Sequence, residues 1–84
     1  VEPTEDIKKI ILKKNKELAA LEQQILNKEQ ELKSLEASLA TEEVYSNAVK
    51  LQETTRSYNS LKADYNADQL RWETLAEEIM ELES

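Results

Sequence analysis

Apolar side chains recur along this chain at alternating intervals of three and four residues, in two long stretches. Between residues 7 and 39 these positions carry Ile7, Ile11, Lys14, Leu18, Leu21, Ile25, Lys28, Leu32, Leu35 and Leu39. Between residues 51 and 82 they carry Leu51, Thr54, Tyr58, Leu61, Tyr65, Asp68, Trp72, Leu75, Ile79 and Leu82. A seven-residue apolar repeat sustained over about five heptads is typical of a coiled coil. The pattern therefore predicts two long helices, each with one apolar seam.

The interruption between the two stretches predicts a single turn. Strong helix formers dominate on both sides of it, whereas the turn itself is rich in residues that cap helices. We expect one domain over residues 1–84, with a helix over about 4–40, a tip over about 41–47 and a second helix over about 48–83. The chain begins with Val1 rather than Met, and we expect it to be a piece of a longer protein.

The start of the first helix and the tip both have local sequence signals. Pro3 and Thr4 precede the first helical residues, and Thr is a favourable N-cap. The chain has no Gly that could end the first helix in a left-handed cap. We therefore expect a helical turn at the tip, with Val44 and Tyr45 folded back on Leu39 or Val49.

Two arms of nearly equal length joined by a short turn favour an all-α, antiparallel two-helix coiled-coil hairpin, monomeric or weakly dimeric. Opposed residue numbers that add up to 86 would match the seams and keep like charges apart on the flanks. This register predicts that Leu21 faces Tyr65 and that Lys14 lies along Trp72, with its ammonium near Asp68.

The composition excludes most kinds of catalytic site. The 84 residues include no Gly, Cys or His. A phosphate-binding loop needs Gly, and zinc sites and Ser–His–Asp triads need His or Cys. No apolar run approaches the roughly 18 residues of a membrane span. We therefore expect no catalytic residue, cofactor, metal site or membrane segment in this chain, and the lack of Cys favours a reducing compartment.

Charge is unevenly distributed along the chain. The net charge is −7, yet residues 1–16 have a net charge of +2 and the rest of the chain −9. The candidate nucleic-acid-binding residues are Lys8, Lys9, Lys13 and Lys16, because a local basic cluster can contact phosphate. The alternative interpretation is a surface that only keeps the helix soluble.

The whole chain resembles the C-terminal coiled-coil domain of ABC-F ATPases, especially the Uup branch, and three segments carry the resemblance. They are Leu-x-x-Leu-Glu-x-x-Ile at 18–25, Glu-Glu-Val-Tyr at 42–45, and Tyr-x-x-x-x-x-x-Trp-Glu-x-Leu at 65–75. The tip in that family often reads Asp-Pro-Glu-x-Tyr, whereas residues 41–45 here lack the Pro.

The resemblance implies a non-catalytic arm of a cytoplasmic ATPase, which contacts DNA or ribosomal RNA or regulates the ATPase. The ATPase cassettes of the parent protein are absent from this chain. They would bind ATP and Mg, and they would be partners of the arm. Two alternatives stay open at this point: the tRNA-contacting arm of a valyl-tRNA synthetase, and a structural hairpin that docks another protein.

Overall fold

The computed structural model describes residues 4–84 and forms a rod of 62 × 14 × 14 Å. It contains α1 (Glu5–Leu39), a short α2 (Glu42–Tyr45) and α3 (Ala48–Glu83). No strand occurs in these residues, and α1 packs along α3. The all-α hairpin fold is confirmed. Pro3 lies outside the described residues.

Side-chain caps begin both long helices. The Thr4 hydroxyl accepts a hydrogen bond from the backbone N–H of Ile7 at 3.3 Å. The Asn47 side chain accepts hydrogen bonds from the N–H groups of Val49 and Lys50, both at 3.1 Å. Each cap satisfies N–H groups that have no partner within the helix. These residues therefore fix where α1 and α3 begin.

The interface between α1 and α3 follows the heptad positions. Every one of the seam positions given above is buried or half-buried. The most deeply buried apolar residues are Leu21, Leu32 and Ile79, which are 5–7 % exposed. A two-helix rod encloses no deeper core, so its stability depends on this single line of side chains.

The register of the two helices differs from the expected one by about one heptad. In the structure, the partners of the hydrogen bonds between α1 and α3 have residue numbers that add up to 92–96 instead of 86. The prediction that Leu21 faces Tyr65 is therefore wrong, because Leu21 lies across from Trp72. These bonds join Lys14 to Glu78, Glu22 to Trp72, Lys28 to Asp68 and Glu36 to Tyr58.

The polar side chains near the seam explain this shift. A slide of one heptad keeps the two apolar seams matched, so apolar burial hardly distinguishes the two registers. In the observed register both seam lysines bond to carboxylates, and no buried side-chain polar atom of the described residues lacks a partner. Pairing polar groups within the seam stabilises the fold by more free energy than the exposed charge pairs on the flanks that favoured the other register.

The tip accommodates the shift by forming α2. α2 packs mainly against α3, whose first turns extend beyond the end of α1. The Lys50 ammonium lies 3.0 Å from the Glu43 carboxylate and lowers the pKa of that carboxyl. The tip is helical, as expected. Val44 is half-buried, but Tyr45 is 54 % exposed and Val49 63 % exposed, so the expected closure around Tyr45 does not form.

Candidate nucleic-acid interface

The four candidate lysines lie near the start of α1, at the end of the rod opposite the tip. Lys8, Lys9, Lys13 and Lys16 are all exposed. Their spacing places Lys9, Lys13 and Lys16 on the side of α1 that points away from α3, with Lys8 on its flank. The cluster extends over about 12 Å of helix, given a rise of 1.5 Å per residue. We call these four residues the lysine face.

The lysine face has no carboxylate partner within residues 4–84. The ion pairs found there join Lys14 to Glu78, Lys28 to Asp68 and Lys50 to Glu43. Lys14 belongs to the same basic segment of the sequence, but its side chain is only 27 % exposed and is bonded to Glu78 at 2.6 Å. Within residues 4–84, the four lysines of the face are therefore exposed and form no ion pair, whereas Lys14 has a structural role.

The antiparallel fold also brings acidic residues to this end of the rod. The last twelve residues contain five glutamates and no basic residue: Glu73, Glu77, Glu78, Glu81 and Glu83. They lie on α3, next to the first half of α1. The base of the hairpin is therefore basic on one face only. The net charge of residues 1–16 alone would have made the whole base basic, because it leaves out the glutamates of α3. An anion can approach it favourably only from the side of α1.

Both seam lysines form ion pairs across the two helices. Lys28 bonds to Asp68, which is the one buried charged residue of the described chain at 7 % exposure. The expectation that Lys14 lies along Trp72 with its ammonium near Asp68 is wrong, because the register shift brings Glu78 to Lys14 and Lys28 to Asp68. The cation that does lie over an aromatic ring is Lys62, 5.3 Å from the centroid of Tyr65.

Two seam aromatic residues donate hydrogen bonds to glutamates of α1, which the sequence reasoning missed. The indole Nε1 of Trp72 donates to Glu22 at 3.0 Å, and the Tyr58 hydroxyl donates to Glu36 at 3.1 Å. The two glutamates are two heptads apart on α1, and the two aromatic residues are two heptads apart on α3. The available signal was the recurrence of Glu22, Glu29 and Glu36 at seven-residue spacing, which matches the spacing of the α3 aromatics.

The Tyr58–Glu36 hydrogen bond gives a pH-dependent prediction. The bond to the Glu36 carboxylate, together with partial desolvation, raises the pKa of Tyr58 above its ordinary value. Because the folded state then favours the protonated phenol, this contribution to stability is complete below the unfolded pKa of about 10. It is lost as the pH rises through the higher pKa of the folded state.

We expect Glu36→Gln to bring the pKa of Tyr58 back towards the value of a free tyrosine. Alkaline titration of tyrosinate absorbance measures this, with Tyr58→Phe identifying which transition belongs to Tyr58. Glu31→Gln, which removes an exposed carboxylate of the same helix, should leave that transition in place. An unchanged transition in Glu36→Gln would contradict the assigned cause.

The described residues were searched for metal-binding clusters and for helices that could span a membrane. No group of three or more carboxylates, His or Cys is arranged to hold a metal within residues 4–84. In the same part of the chain, no helix is both long and apolar enough to cross a bilayer.

Comparison with known protein families matches residues 9–84 to the ABC transporter C-terminal domain. The match covers the tip, α3 and all of α1 except its first four residues. A search of curated proteins found no match, and a search of solved structures found none either.

Proposed function

Since this chain belongs to the ABC transporter C-terminal domain family, we propose that it is the C-terminal arm of a cytoplasmic ABC-F ATPase of the Uup branch. Three segments support this finer assignment: residues 18–25, the tip at 42–45, and residues 65–75. The ATPase cassettes, with ATP and Mg, would lie elsewhere in the parent chain. Sequencing the parent reading frame tests this, because a synthetase body there would replace the ABC-F assignment by the tRNA-arm alternative.

We further propose that the arm helps to seat its parent ATPase on DNA or structured RNA. The observation that carries this proposal is the lysine face, defined above as Lys8, Lys9, Lys13 and Lys16. All four side chains are exposed and none has a carboxylate partner among residues 4–84. When exposed ammonium groups bind the phosphates of a nucleic acid, they release the counterions of those phosphates. This release is the main source of affinity that does not depend on sequence.

The surrounding charges make this contact one-sided and weak. The glutamates at the end of α3 repel a phosphate backbone from the opposite face of the rod. The nucleic acid would therefore lie across α1, and the tip would point away from it. Three or four phosphate contacts correspond to a slope of log affinity against log salt of about −3 to −4 on duplex DNA.

A matched pair of charge variants tests this proposal. The first variant changes the four lysines of the face to Gln. The control changes four other exposed basic residues to Gln, so both variants lose the same net charge: Lys50, Arg56, Lys62 and Arg71. Binding of a labelled DNA duplex and of a structured RNA is measured at two salt concentrations. We expect the first variant to lose its affinity for both nucleic acids and the dependence of that affinity on salt concentration. The control should keep most of its affinity and most of its salt dependence.

Two results would replace this function by the protein-docking alternative. One is equal loss of binding in both variants, which shows that only the total charge matters. The other is the absence of binding by the unchanged chain at low salt. Preference for the structured RNA over the duplex would favour an RNA contact for the arm. ATP hydrolysis by this chain alone is not expected, because it has no Gly for a phosphate-binding loop.

A further inference from the structure

A second line of residues with heptad spacing runs along α1, outside the seam. It occupies every seventh position and consists of Glu5, Leu12, Ala19, Leu26 and Lys33. All five are exposed; Leu12 is 58 % exposed and Leu26 52 % exposed. We call it the outer stripe. Its positions come one residue after the seam residues Ile11, Leu18, Ile25 and Leu32, which is about 100° further round the helix. The stripe therefore lies beside the seam, and Leu26 borders the groove towards Trp72 of α3.

From its N-terminal end, the outer stripe consists of an acidic residue, a leucine, an alanine, a leucine and a basic residue. This order is self-complementary about Ala19 when a second copy runs in the opposite direction. Leu12 then meets Leu26 of the second copy, and Glu5 meets its Lys33. A two-fold axis at Ala19 repeats each of these contacts, as required in an isologous dimer. We propose that two copies of this chain associate through antiparallel packing of their α1 helices along the outer stripe.

The residues beside the stripe are compatible with this arrangement. On one flank, Lys8 faces Glu29 of the second copy and Asn15 faces its Glu22. On the other flank the lysines face amides, because Lys9 and Lys16 lie opposite Gln30 and Gln23 of the second copy. No like charges are opposed on either flank. The dimer covers part of the lysine face, so dimer formation and nucleic-acid binding compete for the same side of α1. The small Ala19 at the centre lets the two helix axes approach closely.

A parallel pairing of the same stripe is disfavoured by charge. It would place Glu5 against Glu5 and Lys33 against Lys33 of the second copy. It would also oppose the lysine faces of the two copies. The charge pattern thus selects the antiparallel arrangement. The contact involves one helix from each copy, so it is smaller than the interface of roughly 800 Å² per partner found in stable complexes, and the dimer is weak.

A cysteine at the two-fold position tests the geometry. The chain has no native Cys, so Ala19→Cys introduces the only thiol, and the axis brings two copies of it together. Disulfide bonds need Cβ atoms about 3.5–4.5 Å apart, and in the proposed dimer only residues at the two-fold axis bring equivalent Cβ atoms of the two copies that close. The matched control is Ala63→Cys, at an exposed alanine on α3. Under mild oxidation we expect the first variant to form a covalent dimer and the control to remain largely monomeric.

Charge reversal tests the direction of pairing. Lys33→Glu opposes two glutamates at each end of the stripe, and we expect the dissociation constant in sedimentation equilibrium to rise about tenfold. Adding Glu5→Lys restores the opposite charges and should restore the dimer. Residues 5 and 33 are about 42 Å apart on one helix, so the rescue cannot arise within one copy. Equal cross-linking of the two cysteine variants, a monomer at every concentration, or a lack of rescue would each overturn the proposal.

Discussion

Replacing Lys28 with Met is expected to lower the free energy of unfolding by about 3 kcal/mol, because it leaves the Asp68 carboxylate without its cation in the interface. Asp68 is only 7 % exposed and bonds to the Lys28 ammonium. The cost comes from the unpaired buried charge rather than from the lost attraction itself. Chemical denaturation of the variant and of the unchanged chain measures the difference.

Two further variants separate this explanation from a general loss of charge. The double variant Lys28→Met with Asp68→Leu should be about as stable as the unchanged chain or more stable, since replacing a whole buried pair by apolar residues often stabilises. Lys14→Met is the matched control, because its partner Glu78 is 46 % exposed and can be solvated. That change should cost less than about 1 kcal/mol. Equal losses from both single variants would contradict the difference in burial.

Truncation of Leu32 to Ala is expected to destabilise the hairpin by about 3 kcal/mol, through lost burial and the cavity left between the helices. Leu32 is 5 % exposed, which makes it the most buried apolar residue of the described chain. In a domain of this size each kcal/mol corresponds to a shift in melting temperature of roughly 4–8 °C. Thermal melting followed by circular dichroism measures the effect.

Leu70→Ala provides the control for this truncation. Leu70 is also on a long helix, but it is 65 % exposed, so its loss should change stability by no more than about 0.5 kcal/mol. The comparison keeps the chemical change identical and varies only the burial. Similar melting temperatures for the two variants would mean that the seam does not hold the hairpin together at Leu32.

The heptad pattern was sufficient to predict which face of each helix is buried. Even the polar exceptions Lys14, Lys28 and Asp68 lie at the seam in the structure. The reason is that burial of the apolar side chains dominates the choice of face, and this choice depends only on positions within one helix. The caps are equally local: the residue type indicated Thr4 directly, and Asn47 was one of several residues at the tip that can cap a helix.

The register could not be obtained from the same pattern. Displacing one helix by seven residues preserves every apolar match, so the choice depends on a few polar partners that are distant in the sequence. Trp72 could face either Lys14 or Leu21 with similar apolar burial, and its hydrogen bond to Glu22 forms in only one of these registers. The extension of α3 beyond α1 depends in turn on α2, whose packing no short-range signal specifies.

The candidate site was predictable in its residues but not in its electrostatic surroundings. The exposure of Lys8, Lys9, Lys13 and Lys16 follows from their positions in the heptad. The glutamates that restrict them to one face lie more than fifty residues later in the sequence, and only the antiparallel fold brings them to the same end. The charge of a surface in a hairpin is a property of both arms.

The glutamate–aromatic hydrogen bonds recur two heptads apart, and this repetition limits how the length of the rod can change during evolution. Glu22 with Trp72 and Glu36 with Tyr58 occupy equivalent places in a repeating unit. Loss or gain of seven residues in both arms together would change the length of the rod by about 10 Å and keep every remaining partner aligned. A change in one arm alone would misalign every partner between that point and the base of the hairpin. Homologous arms can therefore differ in reach by whole heptads while their two ends stay the same.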